Sequence, residues 1–241
     1  GGELIAADLA LDASAPLAER LADEATARGL TIARTLTFRS VIFAGERSQL
    51  VQVKAVDPGY PLRGELKLRM TLAGSETAVG SGPEPGAVWV EPRLLHALKL
   101  APGDSLRLGE RTLPIERIIA YEPDRGGNFF QIAPRVMMAL EDVDATGLVG
   151  AASRVRHRLL IAGDAETVAE YTDWAAERLP PNAELIDARS ARPEFESAVD
   201  RASRFLHLAA LTTLLVAGAA MALASRRLVE RQTDAVAVMR C

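Results

Sequence analysis

RVRHRLLIAGDAETVAEYTDWAAERLPPNAELIDA, residues 154–188, reads as a complete strand–helix–strand unit. RVRHRLLI (154–161) is short and aliphatic enough for one strand. The capped helix GDAETVAEYTDWAAERL follows, with Val168, Tyr171, Trp174, Ala175 and Leu179 on one face at helical spacing. Pro180 and Pro181 stop it, because proline has no backbone N–H and its ring clashes with the preceding turn. AELIDA is the second strand.

The amino-terminal part has the same theme with one more strand. Leu4 to Leu11 alternates as a strand, and Asp12 or Ser14 offers an N-cap for the helix PLAERLADEATAR, where Leu17, Leu21 and Ala25 make an apolar stripe. Gly29 is placed to end that helix with a left-handed residue. Ile32, Leu36 and Phe38 share one face of an extended segment, Gly45 supplies a turn, and LVQVKAV returns as the next strand. The turn segment DPGYPLRG (57–64) closes this β-α-β-β half.

Between the halves the pattern changes. GSETAVGSGPEPG (74–86) reads as a surface loop or hinge. After it come the short runs AVWV, LRL, LPIERIIAYE and FFQIA, a helix at PRLLHALKL, and a second short helix at APRVMMALEDV. The expected fold class is α+β: a discontinuous α/β lobe, residues 1–73 and 153–192, with a β-rich lobe inserted at 74–152.

FLHLAALTTLLVAGAAMALA, residues 205–224, contains no Asp, Glu, Lys or Arg. Twenty residues at helical rise cover roughly 30 Å, the thickness of a bilayer's hydrocarbon core, so the run reads as a transmembrane helix. No helix breaker other than Gly218 lies between Glu194 and Arg231, and a helix of that length would extend roughly 57 Å. Residues 193–204 then form a stalk able to carry movement. Gly218 and Ala222 give the small-xxx-small spacing of close helix contact. Four arginines precede the run (189, 192, 201, 204) and four follow it (226, 227, 231, 240), so charge alone does not orient it.

Net charge is −4 and the isoelectric point is near 5.5, and no Lys/Arg block with interleaved aromatics is present, which argues against a nucleic-acid partner. The single cysteine, Cys241, excludes an intramolecular disulfide. The start GGELIAADLALDAS has no signal-peptide pattern and the chain stops at VMRC, so it reads as a fragment. Histidines stand apart at 96, 157 and 207, and no HExxH, GxSxG or P-loop motif occurs. No catalytic, metal or cofactor residues are assigned, and an enzyme is not expected. His96 reads as a packing residue, and His207 as an interfacial one. Arg154, Arg156 and Arg158 share a strand face that is either solvated or a binding surface for an acidic partner or lipid headgroup.

VKAVDPGYPLRGELKL (53–68), APRVMMALEDVDATGLV (133–149), SRVRHRLLIAG (153–163) and AALTTLLVAGAAMALASRRLVERQTDAVAVMRC (209–241) together resemble the FtsX/MacB-type ABC transporter permeases, most closely their YbbP-like branch. The resemblance implies a porter-like α/β lobe with its β-rich insert outside the bacterial cytoplasmic membrane, in a permease subunit of the mechanotransmission class. It implies a separate ATPase polypeptide as partner, a second permease copy or half, and a hydrophobic or lipid-linked substrate. It further implies that 225–241 begins the cytoplasmic coupling region, with Arg231, Asp234 and Arg240 contacting the ATPase and Ala235, Val236, Val238 and Met239 packing against it. A single-pass receptor with a ligand-sensing external domain is the alternative, and a membrane-anchored enzyme a more distant one.

Overall fold

Asp164 accepts hydrogen bonds from the backbone N–H groups of Glu166 and Thr167 at 3.0 and 3.4 Å and so opens the helix of the second unit. The computed structural model of the chain describes residues 5–125, 133–150 and 153–188, together with Ala217 and Met221. In it β10 (Val155–Ala162), α3 (Ala165–Ala176) and β11 (Ala183–Asp187) form as the pattern predicts. Val168, Tyr171 and Ala175 are buried along α3. Trp174 is only partly covered, and the guanidinium groups of Arg178 and Arg28 stand over its ring at 4.9 and 5.7 Å.

The first half comprises β1 (Leu9–Ala13), α1 (Glu19–Ala27), β2 (Thr31–Ala44) and β3 (Arg47–Val56). Leu21, Ala22 and Ala25 bury one side of α1, and Gly29, at φ +77°, turns the chain out of it. The expected N-cap is corrected: Ala18 occupies that position without a side-chain cap, and Asp12 is a buried strand residue. β2 and β3 make one long antiparallel hairpin, in register from Thr35↔Val56 to Ala44↔Arg47.

Between the halves lie β4 (Leu66–Arg69), β5 (Thr77–Val79), β6 (Val88–Val90), α2 (Pro92–Leu98), β7 (Ser105–Leu108), β8 (Arg111–Tyr121) and β9 (Arg135–Ala139). Residues 133–143, expected as a helix, form β9 and a 3-10 turn at Leu140–Asp142 instead, and a second 3-10 turn follows at Asp144–Thr146. All of β9 is buried, so no polar alternation marks it, and a short apolar run fits either state until its neighbours decide. The loop expected at 74–86 contains the small strand β5.

Among the described residues all eleven strands join one mixed sheet, ordered β11-β1-β10-β2-β3-β9-β6-β8-β4-β5, with β7 paired to β2 and β8. The four strands β11-β1-β10-β2 pair antiparallel in a split β-α-β arrangement. β3 pairs β9 in parallel, so the sheet passes without a break into the inserted segment. On one face Leu9, Leu11, Leu159 and Ile161 pack under α1 and α3, with Tyr171 Oη donating to the Leu21 carbonyl at 2.8 Å. Farther along, Leu36, Phe38, Val53 and Val136 pack with Leu94, Leu95 and Leu98 of α2. The other face is partly roofed by Tyr60, Leu66 and Leu68 over Ala33, Val56, Met137 and Leu160.

Gly1–Ala191 is one compact unit and Arg192–Cys241 a second, in which Ala217 and Met221 are helical and exposed. No helix among the described residues is long and apolar enough to cross a membrane. Apart from those two residues, the expected stalk, membrane run and coupling region lie outside the described residues.

Candidate functional site

Cross-strand partners point to the same face of a sheet, so register decides which polar side chains meet. Asp12, Arg158 and Thr35 stand opposite one another across β1, β10 and β2. Arg156, Thr37, Lys54 and Met137 make the next row, and Gln52 lies opposite Arg135. All are on the face away from α1 and α3, where the residues after β8 fold over them.

Lys54 is the centre of the group. Its Nζ donates to Glu122 Oε1 at 2.7 Å, to Asp124 Oδ1 and Oδ2 at 2.6 and 2.8 Å, and to Tyr60 Oη at 2.7 Å, while only 3% of the side chain is exposed. Tyr60 Oη donates to Asp124 Oδ1 at 2.5 Å, and Arg135 Nε donates to Glu122 Oε2 at 2.9 Å. Arg158 bonds Asp12 at 2.7 Å and reaches within 3.6 Å of Asp124, and Arg156 pairs with the other oxygen of Asp12 at 3.0 Å. Arg125 pairs with Glu91 at 2.7 Å. Taking charges out of water is costly, and this cluster persists because the carboxylates are enclosed by cationic and hydroxyl donors.

Titration reflects that enclosure. Burial by itself would raise the Asp124 pKa, yet the charge and hydrogen bonds of Lys54, the Tyr60 hydroxyl and Arg158 together hold it down to about 2. Burial, then the Asp124 and Glu122 charges, push the Tyr60 phenol well above its usual value. Burial, then the like charge of Arg135, draw the Arg125 guanidinium below its usual value.

A cavity of about 110 Å³ opens against this cluster, lined by Thr35, Thr37, Gln52, Lys54, Asp124, Arg125, Arg135, Arg156 and Arg158. Five cations and one carboxylate face it. It adjoins a wider cavity of about 790 Å³, whose walls share Thr37, Gln52 and Arg156 and add Arg39 and Arg154. A third cavity, about 170 Å³, lies between α1 and His157 and is largely apolar, with Glu19, Arg34, Thr35 and Arg158 also on its walls. Among the described residues no group of three or more His, Cys, Asp or Glu is placed to hold a metal ion.

Of the residues singled out from sequence, Arg156 and Arg158 join the cluster, whereas Arg154 is exposed just before β10. His96 is exposed on α2, not packed as expected. His157 lies on the helix side of the sheet, and partial burial lowers its pKa. Gly218, Ala222, Arg231, Asp234, Ala235, Val236, Val238, Met239 and Arg240 lie outside the described residues, as does His207. Sequence reading missed Lys54, Tyr60, Glu122, Asp124 and Arg135. Lys54 sits in VQVKAV at a position where alternation permits a solvated residue, so no local signal marks its burial.

The chain is 37% identical over 238 residues to YbbP of Escherichia coli (strain K12), described as an uncharacterized ABC transporter permease. The match covers 99% of this chain, which spans 29% of that relative's length. In fold the chain is similar to the periplasmic region of MacB from Actinobacillus actinomycetemcomitans, at a TM-score of 0.52 and 11% identity over 80% of this chain and 95% of that one. The extracellular domain of the noncanonic ABC-type transporter YknZ from Gram-positive bacteria is similar at a TM-score of 0.47 and 7% identity, over 74% of this chain and 100% of that one, too distant to carry weight. No family model matches. By sequence the chain is similar to part of the YbbP ABC transporter permease, and by fold its described residues resemble the MacB periplasmic region.

Proposed function

We propose that the chain is part of the permease subunit of a mechanotransmission-type ABC transporter in the bacterial cytoplasmic membrane. Residues 1 to about 204 lie outside that membrane in this reading, and 205–224 span it. A separate ATPase hydrolyses ATP on the cytoplasmic side and engages residues 225–241 through Arg231, Asp234 and Arg240, with Ala235, Val236, Val238 and Met239 packed against it. Gly218 and Ala222 seat the span against another helix, of a second permease half or copy. Movement passes along the stalk, 193–204, to the external domain, which handles a hydrophobic or lipid-linked substrate. No step of catalysis is assigned to the chain itself.

The observation that carries this reading is the 37% identity to an ABC transporter permease in a match that covers 99% of the chain. A mechanical role also needs a part that moves as a body, and a hydrogen-bonded sheet in which β2 and β3 of the first half pair with β7 and β9 of the inserted segment suits it. The test is purification of the full-length parent from membranes. An ATP-binding subunit should accompany it and be lost when Arg231, Asp234 and Arg240 are replaced by alanine. Retention of the ATPase by the substituted protein rejects these contact residues, and purification without any ATPase rejects the transporter reading.

A further inference from the structure

We propose that the cavity beside Lys54 is a phosphate-class oxyanion site. The proposal stands on the geometry of the cluster, independently of the transport reading. Arg135 is 4% exposed and lines the cavity, yet its Nη1 has no hydrogen-bond partner among the described residues. Buried polar atoms are nearly always paired, and a guanidinium N–H left without an acceptor is costly.

The charge balance points the same way. Lys54, Arg125, Arg135, Arg156 and Arg158 are engaged with four carboxylates, Asp12, Glu91, Glu122 and Asp124, and Glu91 is shared with Arg93, so among the described residues positive charge is in excess. A water molecule could accept from Arg135 but would leave that excess uncompensated. An anion supplies both the acceptor and the charge.

The donors approach from two sides, Lys54 and Arg135 on β3 and β9 and Arg156 and Arg158 on β10. A ligand with several acceptor oxygens suits that spread better than a halide, and guanidinium forks match phosphate oxygens in pairs. The volume of about 110 Å³ exceeds the roughly 30 Å³ share of one water several-fold. The wider cavity alongside, with Arg39 and Arg154 on its wall, offers an approach for an anion from solvent or for a phosphate carried on a lipid.

The experiment is titration of the 241-residue chain, held in neutral detergent, with inorganic phosphate and separately with phosphatidylglycerol or phosphatidylcholine dispersed in mixed micelles of the same detergent, following heat of binding and melting temperature. Saturable phosphate binding is expected, with one site per chain and a raised Tm. Arg156→Gln, an exposed position whose loss should leave the fold intact, should weaken binding about tenfold, the equivalent of one charge-assisted contact. Gln52→Glu places a carboxylate in the cavity wall. It should raise Tm in phosphate-free buffer and abolish the phosphate response.

Binding of micellar phosphatidylglycerol, but not phosphatidylcholine, that Gln52→Glu also removes supports the site with a lipid headgroup as its source. Response to inorganic phosphate alone supports it with a free anion as its source. Failure of the wild-type chain to bind in either arm overturns the proposal, as does binding that neither substitution changes.

Discussion

Lys54 holds together more of the cluster than any other side chain, so its removal separates a buried charge network from a surface one. Lys54→Met keeps the stem volume but leaves Glu122 and Asp124, both almost fully buried, without their shared cation. Breaking a buried pair in this way costs about 3–5 kcal/mol. The urea midpoint of Lys54→Met should fall accordingly, whereas Arg156→Gln, whose side chain is 64% exposed, should shift stability by less than about 1 kcal/mol. Equal losses from the two would mean that the cluster does not depend on burial.

The same network sets an acid limit. Asp124 has a folded pKa of about 2 against an ordinary value of 3.8, so folding favours its ionised form. The stability this confers, about 2 kcal/mol, is complete above the ordinary value and is lost as the pH falls from about 4 through 2. Asp124→Asn should be less stable than wild type at neutral pH and should lose less stability over that interval. Urea titrations at pH 5, 4, 3 and 2 measure the difference in slope, and parallel curves would count against a depressed Asp124.

At the scale of elements, one turn is fixed by close backbone contact. Gly109, between β7 and β8, has φ +60°, and a Cβ built there would lie 2.0 Å from the Thr146 carbonyl oxygen. The neighbouring Glu110 N–H donates to that same oxygen at 2.9 Å, so the two backbones cannot separate without losing the bond. Gly109→Ala should therefore destabilise by about 2 kcal/mol or more. Gly59→Ala, with nothing within 4 Å of the added carbon, should stay within about 0.5 kcal/mol of wild type. Thermal melts of the pair test the contrast.

Which elements could be read from sequence follows from the same local physics. α1, α3 and the outer part of the β2–β3 hairpin announce themselves because each has one wet side, and the apolar period is then visible in the residues. β9 does not, since Arg135 to Ala139 is buried throughout and its strand state comes from pairing with β3 and β6. Asp12 was misread for a related reason. Near a helix start an aspartate reads as a cap, and only the register that sets it opposite Arg158 makes it a strand residue. The cluster itself unites residues 12, 54, 60, 122, 124, 135 and 158, a spread that no motif window contains.

For the molecule as a whole, the open question is whether the inserted segment, expected as its own lobe over residues 74–152, melts by itself. A separate lobe would need its own core and edges. Here β3 from the first half pairs directly with β9, β2 pairs with both β10 and β7, and the core around Leu36, Phe38 and Val53 includes Val88, Leu94 and Leu106 from the insert. Unfolding the insert alone would bare the β3 edge and strip Lys54 of Glu122 and Asp124. Residues 1–191 should therefore unfold in one step. The two tryptophans are placed to decide it: Trp89 lies in β6 of the insert and Trp174 in α3 of the flanking unit. Single-tryptophan forms of residues 1–191, made by Trp89→Phe and Trp174→Phe, report one part each by fluorescence in urea. For each form, the fluorescence midpoint should coincide with the midpoint by circular dichroism, since each substitution can move the overall stability but cannot uncouple the parts. A fluorescence transition displaced from the circular dichroism transition of the same form would show that the insert folds independently, and that the domain has a joint between β3 and β9 where a continuous sheet should have none.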